Sequence, residues 1–224
     1  MDTEQILYDA VVVGAGPAGL SVASDLAEKG YRVAVVDREE IGKTHKSWGV
    51  LEIDGYKLPE EFTVLNRIKY GGFRLLVDDR IKDIYYELKG EDNCVMVDEN
   101  EIMSYWKEKA ERNGADLCEK TEYHDFYLHD DHIDVMTSRG RLRARLMIDA
   151  TGYDSPVVRK LCIDQRIDNY VPTYGGYISG VEFPEKDHGI VLMMDDESDT
   201  LAEYFPLEEH RGVFWVWNVV PAGS

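Results

Sequence analysis

The chain has 224 residues, of which 44% are hydrophobic and 31% are charged, and its formal net charge at pH 7 is −19. This composition is typical of a folded globular protein with room for one large domain or for one domain and part of another, and the negative charge argues against nucleic acid or an anionic membrane surface as the principal partner. No apolar run approaches the roughly 20 residues that cross a bilayer, and the scattered Cys94, Cys118 and Cys162 predict inert thiols in a reducing, cytoplasmic compartment.

The first motif lies near the N-terminus. An apolar run at Ala10–Val13 ends at Gly14, a helical pattern opens at Pro17, and a second apolar run at Val33–Val36 closes on Asp37. This order predicts a strand, a glycine turn, a helix and a parallel strand that ends in an acid. It is typical of half of a Rossmann-like dinucleotide-binding unit.

The glycines of this motif have separate predicted roles. Gly14 permits the tight turn, Gly16 lets the backbone reach a pyrophosphate, and Gly19 lets the helix pack close to the sheet. The N–H groups of the first helical turn would face the phosphates, and the Asp37 carboxylate would accept hydrogen bonds from a ribose. The predicted cofactor-binding residues of this unit are Gly14, Ala15, Gly16, Pro17, Ala18, Gly19, Asp37 and Arg38.

Weaker patterns follow. Residues 51–70 lack clear periodicity and are predicted to be loop with one short helix. A helix is predicted after Asp98, which resembles a capping box together with Glu101, and it should end at Asn113-Gly114. The strands predicted in this part of the chain are Phe73–Val77, Tyr85–Leu88 and Cys94–Val97.

A hairpin is predicted from two strands, Tyr123–Leu128 and Ile133–Thr137, that flank a turn at Asp130-Asp131. Histidines and aspartates are frequent here, which suggests a metal site. On a hairpin, however, His129 and His132 would form an exposed cross-strand pair, so we favour a surface pair and predict no metal. Alternating arginines at positions 139 to 145 favour a solvated face with salt bridges over a phosphate site.

The second motif is a strand, Leu142–Asp149, that ends at Ala150-Thr151-Gly152 before a short helix, Pro156–Leu161. From about residue 170 the chain is rich in β-branched and aromatic residues between turns, which predicts an antiparallel sheet. The strands predicted there are Tyr174–Val181, Ile190–Met194 and Val213–Val219. Aromatic side chains in this part would line an isoprenoid pocket or fill a core, and the two interpretations are equally supported; they are Phe205, Phe214, Trp215 and Trp217.

The predicted fold class is α/β, a Rossmann-like βαβ domain with a parallel sheet followed by the start of an antiparallel β substrate domain. We expect the cofactor-binding domain to span residues 1–168, with inserted strands at about 70–97. The substrate-binding sheet would then begin in residues 169–224. Because the chain stops directly after an apolar strand, we expect it to be an N-terminal portion of a longer protein.

The two motifs together, VVGAGPAGL at 12–20 and DATGYDSP at 149–156, resemble the FAD-dependent superfamily of aromatic hydroxylases, geranylgeranyl reductases and lycopene cyclases. In that superfamily the ATG turn lies beside the flavin nucleotide. The resemblance implies FAD as the cofactor and adds Ala150, Thr151, Gly152 and Asp154 to the cofactor site. The segment at 96–98 also resembles the one before the superfamily's interior helix, but Glu99 stands where an arginine is usual.

Shorter features resemble lycopene cyclases: YGGYISGVEF at 174–183, VLMMDDESD at 191–199 and Trp48-Gly49-Val50. In those enzymes a strand with paired glutamates supplies the acid that protonates the polyene. The corresponding segment here, Val213–Trp217, has no carboxylate. Glu208 and Glu209 lie just upstream in a predicted turn and are the only catalytic candidates, so the catalytic residues stay unknown.

The leading interpretation is a lycopene cyclase-like flavoenzyme that acts on an isoprenoid or other hydrophobic substrate, with NADPH as the candidate electron donor. Alternatives are a geranylgeranyl reductase-like or aromatic hydroxylase-like enzyme, and a nucleotide-binding module that catalyses nothing. A plain NAD dehydrogenase explains neither the DATG turn nor the later strands. We expect no nucleic-acid partner, and any peripheral membrane contact would involve parts outside this chain.

Overall fold

The computed structural model describes residues 7–44, 49–52, 58–77, 80–88, 93–163, 169–183, 185–193 and 200–221. The helices are α1 (Pro17–Glu28), α2 (Glu99–Arg112) and α3 (Pro156–Lys160). The strands are β1 (Leu7–Val13), β2 (Val33–Val36), β3 (Gly49–Glu52), β4 (Val64–Ile68), β5 (Tyr70–Val77), β6 (Arg80–Glu87), β7 (Asn93–Val97), β8 (Asp116–Cys118), β9 (Tyr123–Leu128), β10 (Ile133–Thr137), β11 (Gly140–Asp149), β12 (Asn169–Tyr170), β13 (Thr173–Ser179), β14 (His188–Met193), β15 (Thr200–Glu208), β16 (Arg211–Asn218) and β17 (Val220–Pro221).

The chain divides into two compact units. The first comprises Met1–His45 with Asn100–Asp164, and the second comprises Lys46–Glu99 with Gln165–Ser224. The domain boundary predicted after residue 168 lies next to residues 164–168, which are outside the described part of the chain, so it stays a prediction. None of the described helices is long and apolar enough to span a bilayer.

The first unit contains the predicted βαβ segment. Its sheet has the order β8-β2-β1-β11-β10-β9, in which β8, β2, β1 and β11 run parallel and β10 and β9 run antiparallel. All residues of β2 are buried, as expected for a strand that is covered on both faces of a parallel sheet. The prediction of β1, α1 and β2 is confirmed, and the β9–β10 hairpin has the predicted bounds.

The second unit contains a large sheet with the order β13-β16-β15-β14-β5-β6 and a small one with the order β3-β7-β4. The prediction of loop over residues 51–70 is wrong, because β3 and β4 pair with the two sides of β7. The central strand of this small sheet, β7, is the most deeply buried of the three, and its Val95 and Met96 are almost inaccessible to solvent. Flanking strands need no strong apolar periodicity of their own, and this explains why they were missed.

The large sheet also differs from the prediction in one pairing. β14 runs parallel to β5, with His188 opposite Tyr70, so the sheet is mixed and includes strands from before residue 90. β15, which the sequence did not predict, lies between β14 and β16. Pro206 and the glutamates of β15 interrupt the apolar alternation that would predict a strand. The segment is nevertheless a strand because it pairs with β14 on one side and with β16 on the other.

The aromatic side chains of this unit for which the sequence left two interpretations open have different surroundings. Phe205 and Trp215 pack against a buried cluster that includes Ile68 and Met96, with their ring centroids 5.4 Å apart. Phe214, in contrast, lines a pocket on the second unit. Trp48 lies outside the described residues.

Candidate functional site

The glycine turn after β1 is packed against the end of β11. Gly14 has a φ of +99°, and a Cβ atom placed on it would lie 2.4 Å from the carbonyl oxygen of Ala150. A Cβ on Gly19 would lie 1.9 Å from the carbonyl oxygen of Gly14. These two positions therefore accept only glycine, because backbone atoms occupy the space of a side chain.

Gly16 has a different environment. A Cβ placed on it would meet no heavy atom within 4 Å, although Gly16 is the residue that caps the start of α1 and precedes Pro17. The first N–H groups of a helix have no partner within it, and they carry the positive end of its dipole. Gly16 therefore borders open space where an anion can approach these donors without meeting a side chain.

Asp37 follows β2 and is held beside this turn. One carboxylate oxygen accepts a hydrogen bond from the backbone N–H of Ala15 at 2.7 Å, and the other accepts one from that of Glu39 at 2.8 Å. A carboxylate oxygen has further lone pairs, so Asp37 keeps acceptor capacity for a ligand hydroxyl. Arg38 is exposed, with its guanidinium 3.8 Å from Glu39.

The second motif lies directly beside the first. β11 runs parallel to β1 with Asp149 opposite Val13, and the N–H of Ala150 donates to the carbonyl of Val13 at 2.8 Å. The carboxyl ends of neighbouring parallel strands thus bring the glycine turn and the Ala150-Thr151-Gly152 turn together. Such an edge is where open α/β sheets bind nucleotides.

A family model described as an FAD binding domain matches residues 7–222. The chain belongs to this family. It is therefore a member of the FAD-dependent oxidoreductase superfamily, and FAD is its cofactor. The open space at Gly16, the positive helix end and the Asp37 acceptor fit the pyrophosphate and a ribose of FAD. The contact of each predicted residue with FAD stays a prediction.

Curated proteins of different kinds are similar to this chain. The chain is 27% identical over 204 residues to a lycopene beta cyclase from Synechococcus elongatus, a match that covers 88% of this chain and 45% of the cyclase. It is 28% identical over 169 residues to a thiamine thiazole synthase from Archaeoglobus fulgidus, covering 67% of this chain and 58% of the synthase. The chain thus spans about half the length of these relatives.

Solved structures share the fold at lower identity. A geranylgeranyl bacteriochlorophyll reductase-like protein from Thermoplasma acidophilum superposes with a TM-score of 0.74 at 19% identity, covering 96% of this chain and 57% of that one. The halogenase PltM in complex with phloroglucinol and FAD gives a TM-score of 0.73 at 12% identity, covering 94% of this chain and 51% of that one. These likenesses establish the fold of this FAD binding domain.

Asp149 organises the second turn of the FAD binding domain, and the sequence did not single it out. One oxygen accepts hydrogen bonds from the backbone N–H and the hydroxyl of Thr151, at 3.1 and 2.6 Å, and the other accepts from the Ser155 hydroxyl. Ser155 in turn caps α3 by accepting from the N–H groups of Val157 and Val158. Burial alone would raise the pKa of Asp149, but the bonds from Ser155 and Thr151 outweigh it and hold the pKa below its usual value.

Replacing Asp149 with alanine should loosen this turn and weaken FAD retention. The loss of hydrogen bonds to a charged group should lower the free energy of unfolding by about 2 kcal/mol at neutral pH. Because the native pKa is lowered, this contribution is complete above the unfolded-state pKa of about 3.9 and disappears as the pH falls through the native value. Urea unfolding at several pH values measures it.

The control for this experiment is Asp154→Ala. Asp154 is exposed and forms an ion pair with Arg159, so its removal should change the unfolding free energy little. An Asp149→Ala variant whose stability deficit stays constant down to acid pH would contradict the proposed role of the Asp149 carboxylate.

Glu99, the departure from the superfamily pattern, belongs to the second unit and has a structural partner within that unit. It is buried, and the Tyr177 hydroxyl donates to its carboxylate with oxygen–oxygen distances of 2.6 and 2.5 Å. Burial raises the pKa of Tyr177, and the bond to Glu99 raises it further. A buried carboxylate that accepts a hydrogen bond from Tyr177 on β13 would repel a phosphate, so we assign Glu99 no cofactor contact.

Glu209 lies in the predicted turn between β15 and β16, whereas Glu208 is the last residue of β15. Both are exposed; Glu208 lies 4.0 Å from Arg211, and Glu209 lies 3.2 Å from Lys186. The hydrogen bond from Lys186 lowers the pKa of Glu209. A proton donor at neutral pH needs a raised pKa, so this environment does not suit acid catalysis.

Glu203 has the opposite environment. It lies on β15 directly opposite Trp215 and is half-buried. Burial raises the pKa of its carboxyl, while a hydrogen bond from Trp217 lowers it in part. Sequence reasoning missed this residue because the strand that carries it was not predicted.

The second unit also contains a pocket of about 270 Å³. Its lining is mostly apolar and aromatic and comprises Arg74, Ile178, Val181, Glu182, Phe183, Tyr204 and Phe214. The Arg74 guanidinium makes two hydrogen bonds to Asp83, at 2.8 and 2.9 Å. Since successive side chains of a strand point to opposite faces, Tyr204 places this pocket on the face of the sheet opposite Glu203.

Proposed function

We propose that this chain is the FAD-binding part of an enzyme of the lycopene cyclase kind, which acts on an isoprenoid or carotenoid-type hydrophobic substrate. The observation that carries the proposal is the extent of the match to the lycopene beta cyclase. At 88% of the chain, this match must include most of the second unit as well as the nucleotide motifs that all FAD binding domains of this type share.

Two features of the second unit support an apolar substrate. The pocket is lined mainly by apolar and aromatic side chains, as is usual for sites that bind hydrophobic small molecules. The opposite face of the sheet carries Glu203 among Phe205, Trp215 and Trp217. FAD, when bound, would supply the redox or charge-stabilising chemistry, while the protein positions substrate and protons.

Cyclisation of a polyene by protonation requires a carboxylic acid that keeps its proton near neutral pH. Glu203 supports this role because its burial favours the neutral form. It lies on the strand next to β16, whose segment Val213–Trp217 has no carboxylate. The strand neighbour would thus supply the acid that β16 lacks.

A test is expression of the complete gene in a lycopene-accumulating host, followed by carotenoid analysis. Cyclised product is expected from the wild type, and Glu203→Gln should lower its yield by about 100-fold without loss of FAD. Glu209→Gln is the matched control and should leave the yield unchanged, because Glu209 is an exposed partner of Lys186. Unchanged lycopene in the presence of flavin-loaded wild-type protein would exclude cyclisation.

A reductase is the second candidate, and the missing carboxylate of β16 favours it. A reductase would add a hydride, supplied by the reduced flavin, to one carbon of the alkene and a proton from water to the other, so it needs no strongly acidic carboxyl on this sheet. NADPH would then be the electron donor. Saturation of an isoprenoid double bond that depends on NADPH, with no ring formed, would support this candidate over the cyclase.

A further inference from the structure

The β9–β10 hairpin of the first unit gathers three groups that bind metals. The ligand atoms of His129, His132 and Asp134 all lie within 4.8 Å of one another. The Nε2 atom of His129 is 3.2 Å from one oxygen of Asp134, and that of His132 is 3.5 Å from the other. In a tetrahedral site with bonds of 2.0–2.1 Å, the donor atoms are about 3.4 Å apart, and these two nitrogen–oxygen distances are close to that value.

The burial of the cluster differs from the exposed pair that the sequence predicted. The two imidazole rings are stacked, with centroids 4.3 Å apart. The His129 side chain is 44% exposed, but that of His132 is only 15% exposed and that of Asp134 only 7%. Two of the three groups therefore lie below the surface.

The ring of His132 is oriented as a ligand would be. Its Nδ1 atom lies 2.6 Å from a carboxylate oxygen of Asp131. When Nδ1–H donates to Asp131, Nε2 carries the lone pair. That Nε2 atom is buried and has no hydrogen-bond partner in the described part of the chain. A carboxylate on the far nitrogen is the usual support of a metal-bound histidine.

Two arginines hold the third group. Arg141 Nη1 and Arg143 Nε each lie 3.2 Å from a carboxylate oxygen of Asp134. They fix the carboxylate in place, and their charges also oppose the binding of a cation. The Arg141 side chain is 43% exposed and can turn to solvent when an ion binds.

We propose that His129, His132 and Asp134 form a binding site for a divalent transition ion such as Zn²⁺, with water as the fourth ligand. Two imidazoles and one carboxylate suit zinc better than magnesium or calcium, which prefer oxygen ligands alone. The site is separate from the cofactor turns. The hairpin lies at the edge of the sheet, and its first paired residue after the turn, Ile133, lies opposite Ala144, six residues before the Ala150 turn. The ion would therefore stabilise the hairpin.

Tag-free protein, stripped with a chelator and desalted, should be titrated with ZnCl₂ by calorimetry. We expect one ion per chain and a higher melting temperature with zinc. His129→Gln and His132→Gln should each weaken binding by at least about tenfold. His124→Gln is the matched control, because His124 lies on the same hairpin but outside the cluster, and it should bind zinc like the wild type.

Two further measurements keep the test decisive. Arg141→Gln should bind zinc more tightly than the wild type, since it removes a competing charge from Asp134. Cobalt added in place of zinc should give the visible absorption of a tetrahedral site, and His129→Gln should lose it. If His132→Gln does not fold, the zinc affinity of His129→Gln, a substitution at a half-exposed side chain, tests the proposal instead. Absence of zinc binding, or wild-type affinity in His129→Gln, would overturn the proposal.

Discussion

Replacing Gly16 with valine is expected to abolish retention of FAD while leaving the fold intact. No heavy atom lies within 4 Å of a Cβ placed on Gly16, and its φ of −69° is open to any residue, so valine meets no obstacle in the protein itself. Its branched side chain would instead fill the space through which a pyrophosphate reaches the first turn of α1. FAD titration of the purified variant should show affinity reduced by at least about 100-fold.

The fold should survive this change, because a poorer N-cap costs only about 1 kcal/mol. Gly176→Val is the matched control. Gly176 lies on β13 and also has no heavy atom within 4 Å of its Cβ position, so this variant should bind FAD like the wild type. Wild-type retention of FAD by Gly16→Val would contradict the assignment of this space to the pyrophosphate.

Replacing Gly19 with alanine is expected to damage the fold itself. The added methyl group would lie 1.9 Å from the carbonyl oxygen of Gly14 and 3.3 Å from the Cβ of Ala150. Backbone cannot give way like a flexible side chain, so α1 must move off the sheet and separate from both turns. The free energy of unfolding should fall by about 3 kcal/mol or more, as measured by urea denaturation, and FAD affinity should fall with it.

Gly16→Ala provides the comparison for this variant. It adds the same methyl group three residues earlier, where no heavy atom lies within 4 Å of the Cβ position, and should cost no more than about 1 kcal/mol. Equal stability of the two alanine variants would show that α1 does not pack closely on the Gly14 turn.

The first unit could be predicted well because its signals are local. The apolar runs, the glycine turn and the proline of the βαβ segment lie within 30 residues of one another, and β2 has the predicted bounds. The hairpin turn at Asp130-Asp131 likewise defines β9 and β10 from adjacent residues. In such segments pattern and structure depend on the same short stretch of chain.

The second unit depends on pairings between distant segments. The pairing of β5 with β14 joins Tyr70 to His188, and nothing in either strand alone indicates that partner. β15 carries glutamates and a proline that mask its pattern, and only its two neighbours in the sheet reveal it. Sequence therefore predicted strands here but neither their order nor the parallel pair.

The candidate site shows the same division. The glycine motif predicted its own geometry, and the resemblance to flavoenzymes identified the turn beside it. Asp149 was missed because its role depends on Thr151 and Ser155, which reach it only once the turn has formed. The pair His129 and His132 was predicted to be exposed, and the burial of His132 and of the neighbouring Asp134 was missed because it follows from packing, which hydropathy does not show.

Uptake of FAD by the purified chain tests the central claim most directly. Titration of the stripped protein with FAD, followed by gel filtration and absorption spectroscopy, should give one oxidised flavin that co-elutes with each chain. The same preparation of Gly16→Val should elute colourless. A folded wild-type chain that takes up no flavin at saturating FAD would contradict the assignment of the two turns to a flavin site.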